Sequence, residues 1–352
     1  MKLWGVILTA LLSVSLQAQE VMDIEMSNGI VITYNVSELQ KLSWRKGEFV
    51  PNFTTENATN VSYLSATLNG TLDIPDELCS EYAFGFEFST SSKFPEGQTE
   101  VLLCENLHDG KFSLTVKDLE VGKRYYYRAY FRTHHGQAKN FTTKKVTAGE
   151  YVDLGLPSGT LWGTKNVGAQ SPTEIGLFFQ WADTKGYKND PSDGKAFTYG
   201  DCKYVKGVGS TCKEILKYNT KSKYGNVDNK TELDLEDDAA YVNVGSDWRM
   251  PSIVQCNELI DEANTESHWT EIDYVHGRLF ISKTNGNSIF LPSTGYRDGS
   301  DYWEQSTVGR YFTRELSGMG PEYPAILGFD AKSMSTYGVN RFGGRVVRPV
   351  RK

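Results

Sequence analysis

Apolar residues recur at every second position through much of this chain: Leu64, Ala66 and Leu68, then Tyr82, Phe84, Phe86 and Phe88, then Phe112, Leu114 and Val116. A period of two places successive side chains on opposite faces of an extended backbone, so each run predicts a strand with one apolar face. Aromatic residues make up 12% of the chain and glycines number 33, a combination that suits short strands joined by tight turns better than long helices. The 352 residues exceed the usual size of one domain and predict two folded units with a small extra one. A multi-domain, mainly β architecture is therefore expected.

Lys2 is followed by an apolar run from Leu3 to Leu16 and by small or polar residues around Ala18. That pattern reads as a secretory signal peptide over residues 1–18. The run is too short to span a bilayer. No Cys follows the expected cleavage point, so a lipoprotein anchor has no attachment site, and no later apolar stretch is long enough to cross a membrane. The expected destination is the cell surface or the extracellular space, with the periplasm as the alternative. In residues 19–49, Met22, Ile24 and Met26 alternate with polar residues, Asn28-Gly29 follows, and Ile30, Ile32 and Tyr34 alternate again. This predicts a β-hairpin, because Asn-Gly adopts the positive φ angles of a type I′ turn. Residues 47–60 read as a linker.

The net charge is −7, and loss of residues 1–18 removes one Lys and no acid. A nucleic-acid partner, which needs a broad basic face, is not expected. Five cysteines occupy positions 79, 104, 202, 212 and 256. In an exported chain Cys79 with Cys104 and Cys202 with Cys212 are the sensible disulfide pairs, while Cys256 falls on the apolar face of a predicted helix and reads as a buried, inert thiol. His134-His135 reads as a solvated hairpin tip, and no Cys or His spacing suits zinc. No cofactor is expected.

From Leu119 the chain reads Leu-Glu-Val-Gly-Lys-Arg-Tyr-Tyr-Tyr-Arg-Ala to Ala129. A Leu, a turn, a Tyr six residues on and an Arg-Ala strand resembles the fibronectin type III pattern, and the resemblance implies a β-sandwich over residues 50–148 with Tyr125 as the corner tyrosine.

Beyond Gly149 the chain becomes rich in turns. One helix is predicted from the capping box Ser252-Ile253-Val254-Gln255, with Ile253, Val254, Cys256, Leu259, Ile260 and Ala263 on one face. Leu279–Ile281 and Ile289–Leu291 flank a turn and read as a hairpin, and Arg345–Val350 reads as a final strand. Residues 149–352 carry several long phrases: Tyr151 through Trp162, Asn166-Val167-Gly168-Ala169, Leu235 through Ala240, Trp248-Arg249-Met250-Pro251, Asn285 through Pro292, Gly295-Tyr296-Arg297, and Gly344 with Val347-Arg348-Pro349-Val350. In this order they resemble the Fibrobacter succinogenes major paralogous domain. Trp303 through Ser306 departs from the Trp-Ser-Ser phrase more usual there. The resemblance implies an α+β C-type-lectin-like fold that presents long loops, and an adhesin-like cell-surface role with a glycan or protein ligand. A structural component of a pilus or other envelope assembly is the alternative. The fold is also similar to that of formylglycine-generating enzymes, but Cys202, Cys212 and Cys256 stand in no phrase resembling their cysteine pair, and an enzyme is not expected.

Two groups of side chains invite a site. Asp234, Glu236, Asp237 and Asp238 offer hard oxygen ligands for calcium, without EF-hand spacing. The preferred reading is that one carboxylate caps a turn or pairs with a neighbour such as Arg249, and that the rest are solvated. The second group is Tyr302, Trp303, Tyr311, Arg314, Tyr337, Asn340 and Arg341. Flat rings stack on sugars or fill protein pockets while Asn and Arg direct hydrogen bonds, so these are the candidate ligand-binding residues. Trp303 and Tyr311 also suit a core beneath the loops, the reading preferred for Trp303; for Tyr337 through Arg341 the two readings balance.

Overall fold

In a computed structural model the described residues are 21–25, 30–35, 50–75, 80–145 and 149–351. The hairpin strands form where alternation places them: β1 (Val21–Glu25) pairs antiparallel with β2 (Val31–Asn35), setting Met22 opposite Tyr34 and Ile24 opposite Ile32. The Asn28-Gly29 turn, the signal segment and Cys79 lie outside the described residues. This hairpin belongs to a unit ending at Pro51, and a second compact unit begins at Asn52.

The second unit opens with β3 (Phe53–Thr59), β4 (Ala66–Leu72), β5 (Phe84–Ser89), β6 (Thr99–Cys104), β7 (Lys111–Val116), β8 (Arg124–Phe131), β9 (His134–His135) and β10 (Lys139–Thr142). One sheet runs β3-β4-β7 and the other β10-β8-β5-β6, with β9 beside β8. The inward residues of both sheets, among them Leu68, Phe84, Phe86, Phe112, Tyr127 and Phe131, form one core. This is the expected β-sandwich. Tyr125 is buried, and its hydroxyl accepts the Glu120 backbone N–H at 2.9 Å, the corner bond anticipated for it. The linker reading of residues 47–60 is corrected by β3. Its sequence, Phe-Thr-Thr-Glu-Asn-Ala-Thr, has no apolar alternation, and polar contacts hold it as a strand. Buried Thr55 accepts the Ala129 N–H through Oγ1 at 2.8 Å, and the Glu56 carbonyl accepts the Tyr127 hydroxyl at 2.6 Å.

After Gly149 the chain forms several small sheets around two short helices. β11 (Tyr151–Asp153) and β12 (Leu161–Gly163) lead to β13 (Val205–Val208) and β14 (Thr211–Ile215), then α1 (Ala239–Val244) and α2 (Ile253–Ile260). A three-stranded sheet follows from β15 (Thr265–Ile272), β16 (Val275–Ser282) and β17 (Ser288–Pro292), then the hairpin β18 (Tyr296–Asp298) and β19 (Asp301–Trp303). Another sheet, β20 (Gly309–Leu316), β21 (Pro324–Phe329) and β22 (Met334–Gly338), precedes β23 (Val350–Arg351), which pairs with β12. The capping box on α2 forms as expected, with Cys256 and Leu259 buried, but Val254 is 63% exposed and leaves the predicted apolar face. The expected strand over residues 345–350 shrinks to β23. The preceding residues thread through the interior by single bridges, Phe179 to Arg345 and Tyr311 to Val346.

Two clusters, one around Trp162, Tyr311 and Leu327 and one around Trp181, Tyr218 and Phe312, form the core of this half. A smaller cluster joins Tyr63, with Leu64 and Val121 of the sandwich, to Ile272, Leu279 and Phe290 of the β15–β17 sheet. The two halves of the second unit are thus packed together.

The disulfide expected between Cys202 and Cys212 does not form: both are free thiols, as is Cys104. Cys202 turns into the protein, where Gln180 Nε2 donates to its Sγ at 3.3 Å and the thiol faces the Thr198 carbonyl. Cys256 is a fully buried thiol whose pKa is pushed up by burial, in keeping with an inert role.

Candidate binding surface

The acidic run resolves into two separate structural devices. Asp238 is the N-cap of α1, accepting from Ala240 N and Tyr241 N, and it pairs with Arg249 Nε at 2.8 Å. Asp237 is not solvated, as the sequence had suggested, but fully buried. Its Oδ1 accepts from Lys203 Nζ at 2.7 Å and Tyr204 Oη at 2.8 Å; its Oδ2 accepts from Lys217 Nζ and Tyr218 Oη, each at 2.6 Å. Burial alone would raise this carboxyl's pKa. These four donors outweigh that effect and hold it down at about 2. Carboxylate oxygens of Asp234, Glu236 and Asp237 come together as a metal site would require. The Lys217 ammonium nevertheless lies 2.7, 3.1 and 2.6 Å from them, taking the position a cation would need.

Of the seven candidate ligand residues, four are occupied structurally. Tyr311 is fully buried, its ring stacks on Phe329 at 5.7 Å and its hydroxyl donates to the Pro292 carbonyl at 2.6 Å. Arg341 is 1% exposed, with its guanidinium on the carbonyls of Lys217, Tyr218 and Pro321 and 5.1 Å from the Trp181 ring. Both are corrections: Tyr311 lies where both faces of β20 are covered, with Phe312 and Thr313 as fully buried as itself, and Arg341 bonds chain segments that lack secondary-structure partners. Tyr302 is half-buried, donating to Thr294 O at 2.6 Å and meeting Phe178 edge-on. Arg314 bonds Glu232 at 2.5 Å and also Met250 O and Gln255 Oε1.

Trp303, Tyr337 and Asn340 remain at the surface. Trp303 is 50% exposed and Tyr337 40%, so the core reading of Trp303 is corrected as well. β19 is the outer arm of a tight hairpin, and its Trp303 pairs with Tyr296 across β18, which places both side chains on one face. The Tyr296 ring lies 4.0 Å from the Arg310 guanidinium and 4.4 Å from that of Arg345, a cation–π arrangement. Arg310 pairs with Gly328 across β20 and β21. Gly328 leaves space for Tyr337, since an added Cβ would come 2.4 Å from that ring. A continuous row therefore runs Trp303, Tyr296, Arg310, Tyr337. Glu304 closes one side, 2.6 Å from Arg310.

Arg345 lies beneath this row, 3% exposed. It donates to Arg297 O and Gly344 O, and burial lowers its pKa. Asp298, nearby, has a pKa raised by the same desolvation. The surface thus joins flat rings to directed guanidinium donors over a rigid base, a composition able to stack on a sugar face or to anchor a protein side chain. Sequence reasoning missed Tyr296 and Arg310. A signal for the first was present: Gly299-Ser300 is a hairpin turn pair, and folding the chain there sets Tyr296 opposite Trp303.

No protein-family profile matches the chain, and no curated protein does. Among solved structures it is similar to the sensor domain of the anti-sigma factor RsgI4 in Pseudobacteroides cellulosolvens, at 17% identity over 27% of this chain and 96% of that one, with a TM-score of 0.23. It is also similar to a fibronectin type III domain derived from human KIAA0970 protein, at 17% identity over 28% of this chain and 77% of that one, TM-score 0.21. A third similarity is to the 6th fibronectin type III domain from human fibronectin type III domain containing protein 3, at 18% identity over 30% and 95%, TM-score 0.21.

Proposed function

We propose that the chain is an exported, adhesin-like binding protein of the cell surface. Its C-terminal half is a C-type-lectin-like major paralogous domain, presenting the row Trp303, Tyr296, Arg310 and Tyr337 to a glycan or protein ligand. The exposure of Trp303 carries this reading. Leaving half of a large aromatic in water on a short, paired hairpin forgoes burial that the core could supply, and exposed aromatics beside arginine are the usual anchors of recognition. The phrases shared with the major paralogous domain support the fold part of the proposal, and the apolar run before Ala18 supports export. No helix of the described residues is long and apolar enough to cross a membrane.

A screen of the full mature chain against a glycan array and host proteins tests the proposal, beside a variant carrying Trp303→Ala and Tyr337→Ala. Ligand binding that falls by about 2 kcal/mol or more in the variant, the loss expected for paired hot-spot residues, supports it. Equal binding by both proteins overturns the assignment of the surface. A role in a pilus or another envelope assembly is the second reading, favoured by the hairpin β1–β2, whose Val31, Ile32 and Tyr34 are exposed. Polymerisation of the purified chain with no ligand in the screen would select it.

A further inference from the structure

We infer that the protein has a second binding site, for a sugar carrying one carboxylate, in the groove between the β15–β16 ladder and the loop from Ala331 to Ser333. None of its lining residues belongs to the Trp303 row, so the two proposals stand or fall separately. The groove encloses about 640 Å³, within the usual range for small-molecule sites.

Trp269 and Arg278 face each other directly across the ladder and both line the groove. Trp269 is half-buried and is backed by the near-parallel ring of His276 at 6.2 Å, which holds a flat apolar surface in place. Arg278 is 6% exposed. Its Nε donates to the Asp330 carbonyl at 2.9 Å and its Nη1 to Ser267 Oγ at 3.0 Å, both neutral acceptors. The Asp330 carboxylate is nearby but accepts from the backbone N–H groups of Lys332 and Ser333. A guanidinium so deeply buried with only neutral oxygens bonded to it is incompletely compensated. Desolvation correspondingly lowers its pKa.

Lys332 on the loop adds a second cation at the rim. His268 also lines the groove but pairs with Glu266 at 3.0 Å. Glu262 is the acid among the lining residues. One buried guanidinium with one exposed ammonium suits a single carboxylate, and Glu262 in the same lining suits hydroxyl donors while repelling a second anionic group. With an aromatic face on the floor, the combination fits a pyranose bearing one carboxylate rather than a neutral sugar or a polyanion.

The test uses the full chain, titrated with D-glucuronate and N-acetylneuraminate and, as controls, D-glucose and acetate, followed by tryptophan fluorescence and heat. One or both acidic sugars are expected to bind saturably at least about tenfold more tightly than glucose and acetate, since charge-assisted bonds and ring stacking must act together. Lys332→Ala, on an exposed loop, is expected to weaken that binding severalfold at unchanged melting temperature, and Arg278→Met to abolish it. Saturable binding by neither acidic sugar, equal binding of glucose, or an unchanged affinity in Lys332→Ala and Arg278→Met overturns the inference. If Arg278→Met fails to fold, the Lys332→Ala comparison decides alone.

Discussion

Asp237 is the residue whose environment departs furthest from its local sequence. A run of acids reads as a solvated surface, yet the Lys203 and Lys217 that neutralise it lie 34 and 20 positions away, a separation that no local pattern reveals. Its folded pKa of about 2 stands below the ordinary value of 3.8. The stabilisation is therefore complete above pH 4 and is lost as pH falls from about 4 towards 2, amounting to about 2 kcal/mol. Acid titration of chemical-denaturation midpoints should show that loss, and Asp237→Ala at neutral pH should cost about 3 kcal/mol by removing the acceptor of four donors, two of them the Tyr204 and Tyr218 hydroxyls, while Lys217 keeps Asp234 and Glu236, flattening the acid limb. Because Lys217 holds the centre of this cluster, calcium or a chelator should leave the melting temperature unchanged. Tyr311→Phe removes a buried bond to Pro292 O and should cost about 1 kcal/mol, whereas Trp303→Ala should change stability by less than about 0.5 kcal/mol.

Among the elements, α2 was legible because its start signal is local. Ser252 and Gln255 satisfy each other's backbone N–H groups, and Ser252→Ala should cost about 1 kcal/mol in a denaturation curve. The position of its apolar face was less legible. Val254 shares the hydrophobicity of its neighbours but points into solvent, so Val254→Lys should fall within about 0.5 kcal/mol of the parent. β3 shows the opposite case: its side chains carry no apolar alternation, and it is a strand because β4 and the hydroxyl of Tyr127 give its backbone partners. The hairpin β18–β19 lies between these cases. Its Gly-Ser turn is a local signal, but the partners that make Trp303 part of a surface row come from β20 and β22.

For the molecule as a whole, Tyr63 tests whether the sandwich and the C-terminal half melt together. It is 6% exposed in a cluster shared by both. Tyr63→Ala should lower stability by about 3 kcal/mol and divide a single calorimetric transition into two. The sandwich could be read from four of its strands, β4, β5, β7 and β8, because alternation at period two specifies which face of a strand is apolar and two apolar faces cover each other. The C-terminal half could be read only in fragments. Its sheets have two or three short strands, and interior arginines join the irregular segments: Arg297 reaches Asp193 over 104 positions, and Arg348 reaches Asn166 over 182. Alternation and caps act between near neighbours, and those local rules determined strands, turns and the helix start. Which arginines are interior and which aromatics reach water depended on contacts between distant segments, where burial, and not residue type, decides which guanidinium groups brace the carbonyls of irregular backbone.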